Sequence, residues 1–143
     1  MLTICADSSF LASKYVPGTH SAEADRRMLE LPMVWLTPLN RAELAHAIHY
    51  QVFRGRFSST EASLAWRNFE DDCVQGIWIL IDIPERMWNA GIELARRYGP
   101  TLGVRTLDSL HVACALELRA KSFWTFDERQ ARLAEAAGLD TSA

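Results

Sequence analysis

Asp7, Glu43, Asp108 and Asp127 are spread over the whole chain, yet each follows a run of β-forming residues or opens a helical pattern. Carboxylates gathered from such places either share protons or hold a hard divalent cation, and an all-oxygen donor set selects Mg²⁺ or Mn²⁺ over zinc. Taken singly, each acid also has a plainer use. Asp127 with Gln130 and Asn40 with Glu43 read as capping boxes, and Asp7 and Asp108 complement helix dipoles, each device contributing about 1 kcal/mol. Taken together, two full charges about 5 Å apart repel by roughly 3 kcal/mol at an effective dielectric of about 20. Several such pairs outweigh the capping gain, so a cluster of these acids needs protons or a hard divalent cation.

The elements that must position them can be read from pattern and punctuation. Short β-forming runs occur at 2–6, 33–36, 77–83 and 122–126, each separated from the next by helical sequence. Helices are expected from Ser8 or Ser9 to Pro17, from Ser21 to Pro32, from Pro38 to Phe53 and from Ser58 to Cys73. Three more are expected from Pro84 to Tyr98-Gly99-Pro100, from a cap at Thr106 to Arg119, and from Asp127 to Gly138. Parallel strands need crossover helices, so this alternation predicts an α/β sandwich with a mainly parallel sheet and helices on both faces. Helix starts then gather at the carboxyl edge of the sheet, where open α/β folds take their ligands.

Length and composition agree. The 143 residues are one domain's worth, with 49% hydrophobic and 23% charged residues, and no repeat or linker divides them. The three cysteines, Cys5, Cys73 and Cys114, form no C-x-x-C pair, which argues against a disulfide framework and a thiolate zinc site. No apolar stretch is long enough to span a bilayer and no basic region precedes one at the start, so a cytoplasmic protein without membrane contact is expected. A formal charge of -3 gives no bulk attraction to nucleic acid, so any phosphate-bearing partner must meet a local basic patch or bound cations.

Other chemistries fail on spacing. His46-Ala47-Ile48-His49 is H-x-x-H, not the i, i+4 pair of a metalloprotease, and neither a glycine-rich phosphate loop nor a G-x-S-x-G elbow is present. Cys114 lies in an apolar helix with no activating base. A phospho-accepting signalling domain would place a lysine after its last strand, whereas the only lysines are Lys14 and Lys121.

The strings Ala6-Asp7-Ser8-Ser9-Phe10-Leu11, Asn40-Arg41-Ala42-Glu43-Leu44, Val104 to Ala113 around Asp108, and Trp124-Thr125-Phe126-Asp127-Glu128-Arg129-Gln130 resemble, as an ordered set, the PIN-domain family. More narrowly they resemble the VapC-type toxins of toxin-antitoxin pairs. The resemblance runs from the first strand to Gly138 and implies one PIN domain over 1–143 with a Rossmann-like three-layer sandwich. It implies an Mg²⁺-dependent endoribonuclease (Mn²⁺ in its place), with Asp7 and Asp108 as metal ligands. Glu43 would hold the ion directly or through water, and Asp127 through water or a second ion. Ser9 and Thr125 sit where hydroxyls hydrogen-bond such ligands. The products implied carry a 5′-phosphate and a 3′-hydroxyl, and the substrate is a structured RNA such as tRNA or rRNA. The alternative within the family is a non-catalytic PIN-like domain that binds RNA or a regulatory partner.

Arg105 has two readings, a bidentate grip on substrate phosphate or an ion pair orienting an acid of the site. Arg54 and Arg56, flanking Gly55, either touch RNA or lie in a solvated turn, and His111 is expected to pack with a hydrogen bond inside its own helix rather than to ligate metal. Core packing is the expectation for Trp66 and Trp88. The arm of the third and fourth helices carries Tyr50, Phe53, Phe57, Leu64, Trp66 and Phe69, more apolar area than a hairpin buries in itself. The resemblance supplies its cover, a VapB-like antitoxin tail, and also implies a homodimer.

Overall fold

A computed structural model describes residues 3–142, so Leu2 of the first expected strand lies outside the described residues. The elements run β1 (Ile4–Ala6), α1 (Ser8–Tyr15), α2 (Ser21–Met28), β2 (Val34–Leu36), α3 (Pro38–Phe53) and α4 (Ser59–Val74). There follow β3 (Trp78–Leu80), α5 (Met87–Leu102), α6 (Thr106–Glu117), β4 (Ser122–Trp124) and α7 (Glu128–Ala136). Every strand pairing is parallel, and the strands lie in the order β3, β2, β1, β4. The expected α/β sandwich is therefore present, with a wholly parallel sheet among the described residues.

The order explains where a ligand can sit. From β1 the chain steps outward through β2 to β3, then returns through α5 and α6 to place β4 on the other side of β1. Right-handed crossovers in opposite directions put α1 to α4 on one face and α5 to α7 on the other. The two faces have separate cores: Phe10, Leu44, Ile48, Phe69 and Trp78 on one, Met87, Leu94, Val112, Phe123 and Leu133 on the other. The reversal opens a crevice between the carboxyl ends of β1 and β4, the topological switch point of the sheet.

Local chemistry fixes the seams. The fully buried Trp78 donates its indole N–H to the Tyr15 hydroxyl at 2.6 Å, and that hydroxyl donates to Asp72 at 2.6 Å, joining β3, α1 and α4. On the second face Gly91 lets α5 close on α6, since a Cβ there would stand 2.9 Å from Leu110 Cδ2.

Several expected boundaries move. β3 and β4 are three residues each, because Ile81 onward and Thr125 onward turn toward the next helix. Pro84 does not open α5; its carbonyl accepts the Met87 N–H at 3.0 Å in a turn, and the helix starts at Met87. Pro100 does not end that helix either, since in the last turn its missing N–H removes only one helix hydrogen bond, the one toward the exposed Arg96. The stop is Gly103, left-handed at φ 62°, whose N–H reaches Gly99. Arg105, not Thr106, is the N-cap of α6. Among the described residues no helix is long and apolar enough to cross a membrane.

Candidate active site

Asp7 follows β1 directly and is held from both sides of the crevice. Its Oδ1 accepts the Phe10 N–H at 3.1 Å, capping α1, and the Ser9 hydroxyl at 2.6 Å. Its Oδ2 accepts the Thr125 hydroxyl at 2.6 Å. Ser9 in turn accepts the Phe126 N–H at 2.9 Å and Thr125 the Asp127 N–H at 3.0 Å, so the ends of β1 and β4 are laced together through this one carboxylate. Asp7 is 5% exposed and, among the described residues, has no Lys, Arg or His in an ion pair. Burial pushes its pKa above the ordinary carboxylate range, against hydrogen bonds from Ser9, Thr125 and Phe10 and the charge of His111.

Asp108 lies in the first turn of α6, also buried, and accepts both the Arg105 N–H at 3.1 Å and its guanidinium at 3.2 Å. The same guanidinium reaches Asp127 Oδ2 at 3.3 Å, so Arg105 forms the ion pair anticipated as one of its two readings and bridges two acids. Asp127 caps α7 through the Gln130 N–H at 3.0 Å, but the expected box is only half made. The Gln130 side chain donates instead to the Asp108 carbonyl at 3.2 Å, tying α7 to α6.

Glu43 is left out of the helix cap: α3 starts at Pro38 as expected, but its N-cap is Thr37 and not Asn40. Asn40 closes the box with Thr37, so the anticipated Asn40 and Glu43 pair does not form. The Asn40 amide also donates to Ala6 at 2.8 Å, fixing α3 to the end of β1. Glu43 accepts the Ser8 hydroxyl on Oε1 at 2.6 Å and pairs there with His111 Nε2; among the described residues Oε2 has no hydrogen bond. Burial alone raises the pKa of Glu43, but hydrogen bonds from His111 and Ser8 and the charges of His111 and Arg105 overcome it and leave it lowered.

His111 is the functional neighbour that sequence reasoning missed. It does not hydrogen-bond within α6 but, 5% exposed, reaches across to Glu43 on α3. The available signal was its spacing: three residues after Asp108, it shares that acid's helix face. Arg54 and Arg56 are not brought to the acids, since Arg54 lies about 16 Å along α3 from Glu43 and stacks over Tyr50.

Asp7, Ser9, Thr125, Asp127, Arg105 and Asp108 thus form one hydrogen-bonded chain at the switch point, flanked by Ser8, Glu43 and His111. Among the described residues no three His, Cys, Asp or Glu side chains stand as a ready ligand set; Asp108 and Asp127 are engaged by Arg105, and Glu43 by His111. The donors nevertheless fit a hard divalent ion: all are carboxylate oxygens, Asp7 is a buried acid without a cation, and Glu43 Oε2 is open.

A doubly wound parallel sheet with acids from β1, α3, α6 and β4 at its switch point defines a Rossmann-like fold with an acidic crevice. Residues 4–136 match the PIN domain, and the chain belongs to that family. No curated protein matches it in sequence. In fold it is similar to a sarcin-ricin loop cleaving toxin, VapC20 of Mycobacterium tuberculosis. The TM-score is 0.69 at 16% identity, over 95% of this chain and 95% of that one. It is likewise similar to FitAcB from Neisseria gonorrhoeae, with a TM-score of 0.70 at 16% identity over 96% and 95% of the two chains.

Proposed function

We propose that this protein is a divalent-metal-dependent endoribonuclease toxin of the VapC type, kept inactive by a cognate antitoxin. The observation that carries the reading is Asp7, a buried carboxylate locked by two hydroxyls at the switch point and left without a cation partner. Asp7 and Asp108 would hold Mg²⁺ or Mn²⁺, with Glu43 and Asp127 beside them. When bound, such an ion lowers the pKa of water and neutralises charge developing on phosphoryl oxygens. Ser9 and Thr125 keep Asp7 oriented, and the His111 contact keeps Glu43 ionised, so that Oε2 can accept a proton from an attacking water. Arg105, once turned from Asp108 and Asp127, grips the scissile phosphate. The expected products carry a 5′-phosphate and a 3′-hydroxyl, from a structured RNA such as tRNA or rRNA, in the cytoplasm.

The test is RNA cleavage by the purified protein in Mg²⁺, in Mn²⁺ and in EDTA. Cleavage that needs the ion is expected, and activity that survives EDTA overturns the mechanism. One observation favours a second reading: Asp108 and Asp127 are already engaged by Arg105, and Glu43 by His111. A non-catalytic RNA- or partner-binding PIN domain would bind RNA in the same assay and leave it intact.

The antitoxin's seat moves relative to the sequence expectation. Trp66 is half-buried against the first core and Phe69, so it is not an open docking residue. Of the apolar residues singled out on the α3 and α4 arm, the open ones are Phe53 at 83% exposure, Leu64 at 55% and Tyr50 at 50%, the two aromatic rings stacked at 5.7 Å. Phe53→Asp should weaken the complex with the product of a short reading frame directly upstream by about 30-fold, as loss of a hot-spot side chain does. Unchanged affinity in a titration would remove the arm from the interface. A homodimer is proposed alongside.

A further inference from the structure

The apolar pocket between α5 and α6 has no part in the acid cluster, yet it shares a wall with it. It encloses about 270 Å³ and is lined by Trp88, Gly91, Ile92, Val104, Arg105 and Leu110 among others. Trp88 and Ile92, against the expectation of a core tryptophan, are each 56% exposed. The volume lies below the 300 to 1,000 Å³ of sites for larger ligands and suits one planar ring system. Arg105 stands on its rim, and the same residue bounds a second, polar concavity of about 340 Å³ lined also by Asp127, Glu128, Arg129 and Arg132, three arginines to two acids. Arg132 is only loosely paired with Glu128 at 3.6 Å, and among the described residues Arg129 has no ion pair.

We infer that the Trp88 pocket receives the base of an unpaired nucleotide next to the scissile phosphate, with Trp88 as its stacking face; this rests on the nuclease reading. An aromatic face with a cation beside it is what a splayed base and its phosphate require, and stacking on such a face tolerates any base. Arg105 connects the pocket to Asp108 and Asp127, placing a base in it and its phosphate toward the acids. Arg129 and Arg132 continue the cationic track for the following phosphates. A base inside a duplex offers no free face to Trp88. A second copy docked here would set the same arginine rim against itself, which like charges oppose.

The test measures binding of a short fluorescein-labelled single-stranded RNA, and of the same strand annealed to its complement, by anisotropy in Ca²⁺, with cleavage in Mg²⁺ followed separately. Wild type should bind the single strand more tightly than the duplex. Trp88→Ala should lose about 5- to 150-fold in single-strand affinity, and Trp88→Phe should recover most of it, all with unchanged hydrodynamic size. The inference is overturned if Trp88→Ala binds and cuts as wild type does, if wild type prefers the duplex, or if the substitution changes only the oligomeric state. Wild type that neither binds nor cuts either RNA overturns the nuclease reading itself.

Discussion

Asp7→Asn should lower RNA cleavage by more than about a hundredfold while leaving the fold intact, and Asp108→Asn should do the same. Residues that only orient metal ligands typically contribute 10- to 100-fold, so a ligand itself must exceed that range. Asp71→Asn, on the surface of α4, is the control and should cut normally. A readout independent of activity follows from burial. Asp7 is 5% exposed, burial disfavours its charged form, and among the described residues it has no ion pair, so an added ion that binds only the folded protein should raise the melting temperature. That rise should shrink in Asp7→Asn and Asp108→Asn, as measured by thermal denaturation with and without Mg²⁺. Equal rises in all three proteins would place the ion elsewhere.

The same carboxylate gives the ion-free protein a signed pH dependence. Because burial raises the pKa of folded Asp7, its contribution to stability is fully present below the unfolded value and is lost as pH rises through the folded one. Glu43 runs the other way. Its folded pKa is lowered, so its contribution is present above the ordinary carboxylate value and is lost as pH falls through the lowered one.

How far the sequence carried this can be seen residue by residue. The alternation of apolar runs and helical pattern gave the parallel sandwich, because period and length are local properties. Asp7, Asp108 and Asp127 were found because each follows a strand or opens a helix, and strand order then carries those positions to one edge. Ser9 and Thr125 came only through the family resemblance, yet the structure gives both a hydrogen bond to Asp7. What failed were choices between two local partners. Asn40 could cap with Thr37 or pair with Glu43, and its amide bond to Ala6, a contact across the fold, decided for Thr37. Gln130 could return to its own N-cap but finds the Asp108 carbonyl. Core packing is the default for a large helical aromatic such as Trp88, and only the packing of α5 on α6 leaves it 56% exposed. His111 was misplaced for the same reason, since its partner lies 68 positions away.

That long-range pair supplies the second large effect. His111→Ala should reduce cleavage by about 10- to 100-fold and destabilise the protein by about 2 kcal/mol, two losses with separate causes. The stability loss comes from an emptied site at 5% exposure and from a half-buried Glu43 left with only the Ser8 hydroxyl. The activity loss comes from Glu43, which without His111 feels burial more than support, so its pKa should rise and its ionised fraction at mildly acid pH should fall. The cleavage rate against pH separates the two causes. If His111 only fills space, the variant's profile keeps its shape at a lower height. If His111 holds the Glu43 charge, the acid limb of the profile moves to higher pH, and His111→Asn, which retains a donor, should move it partly back.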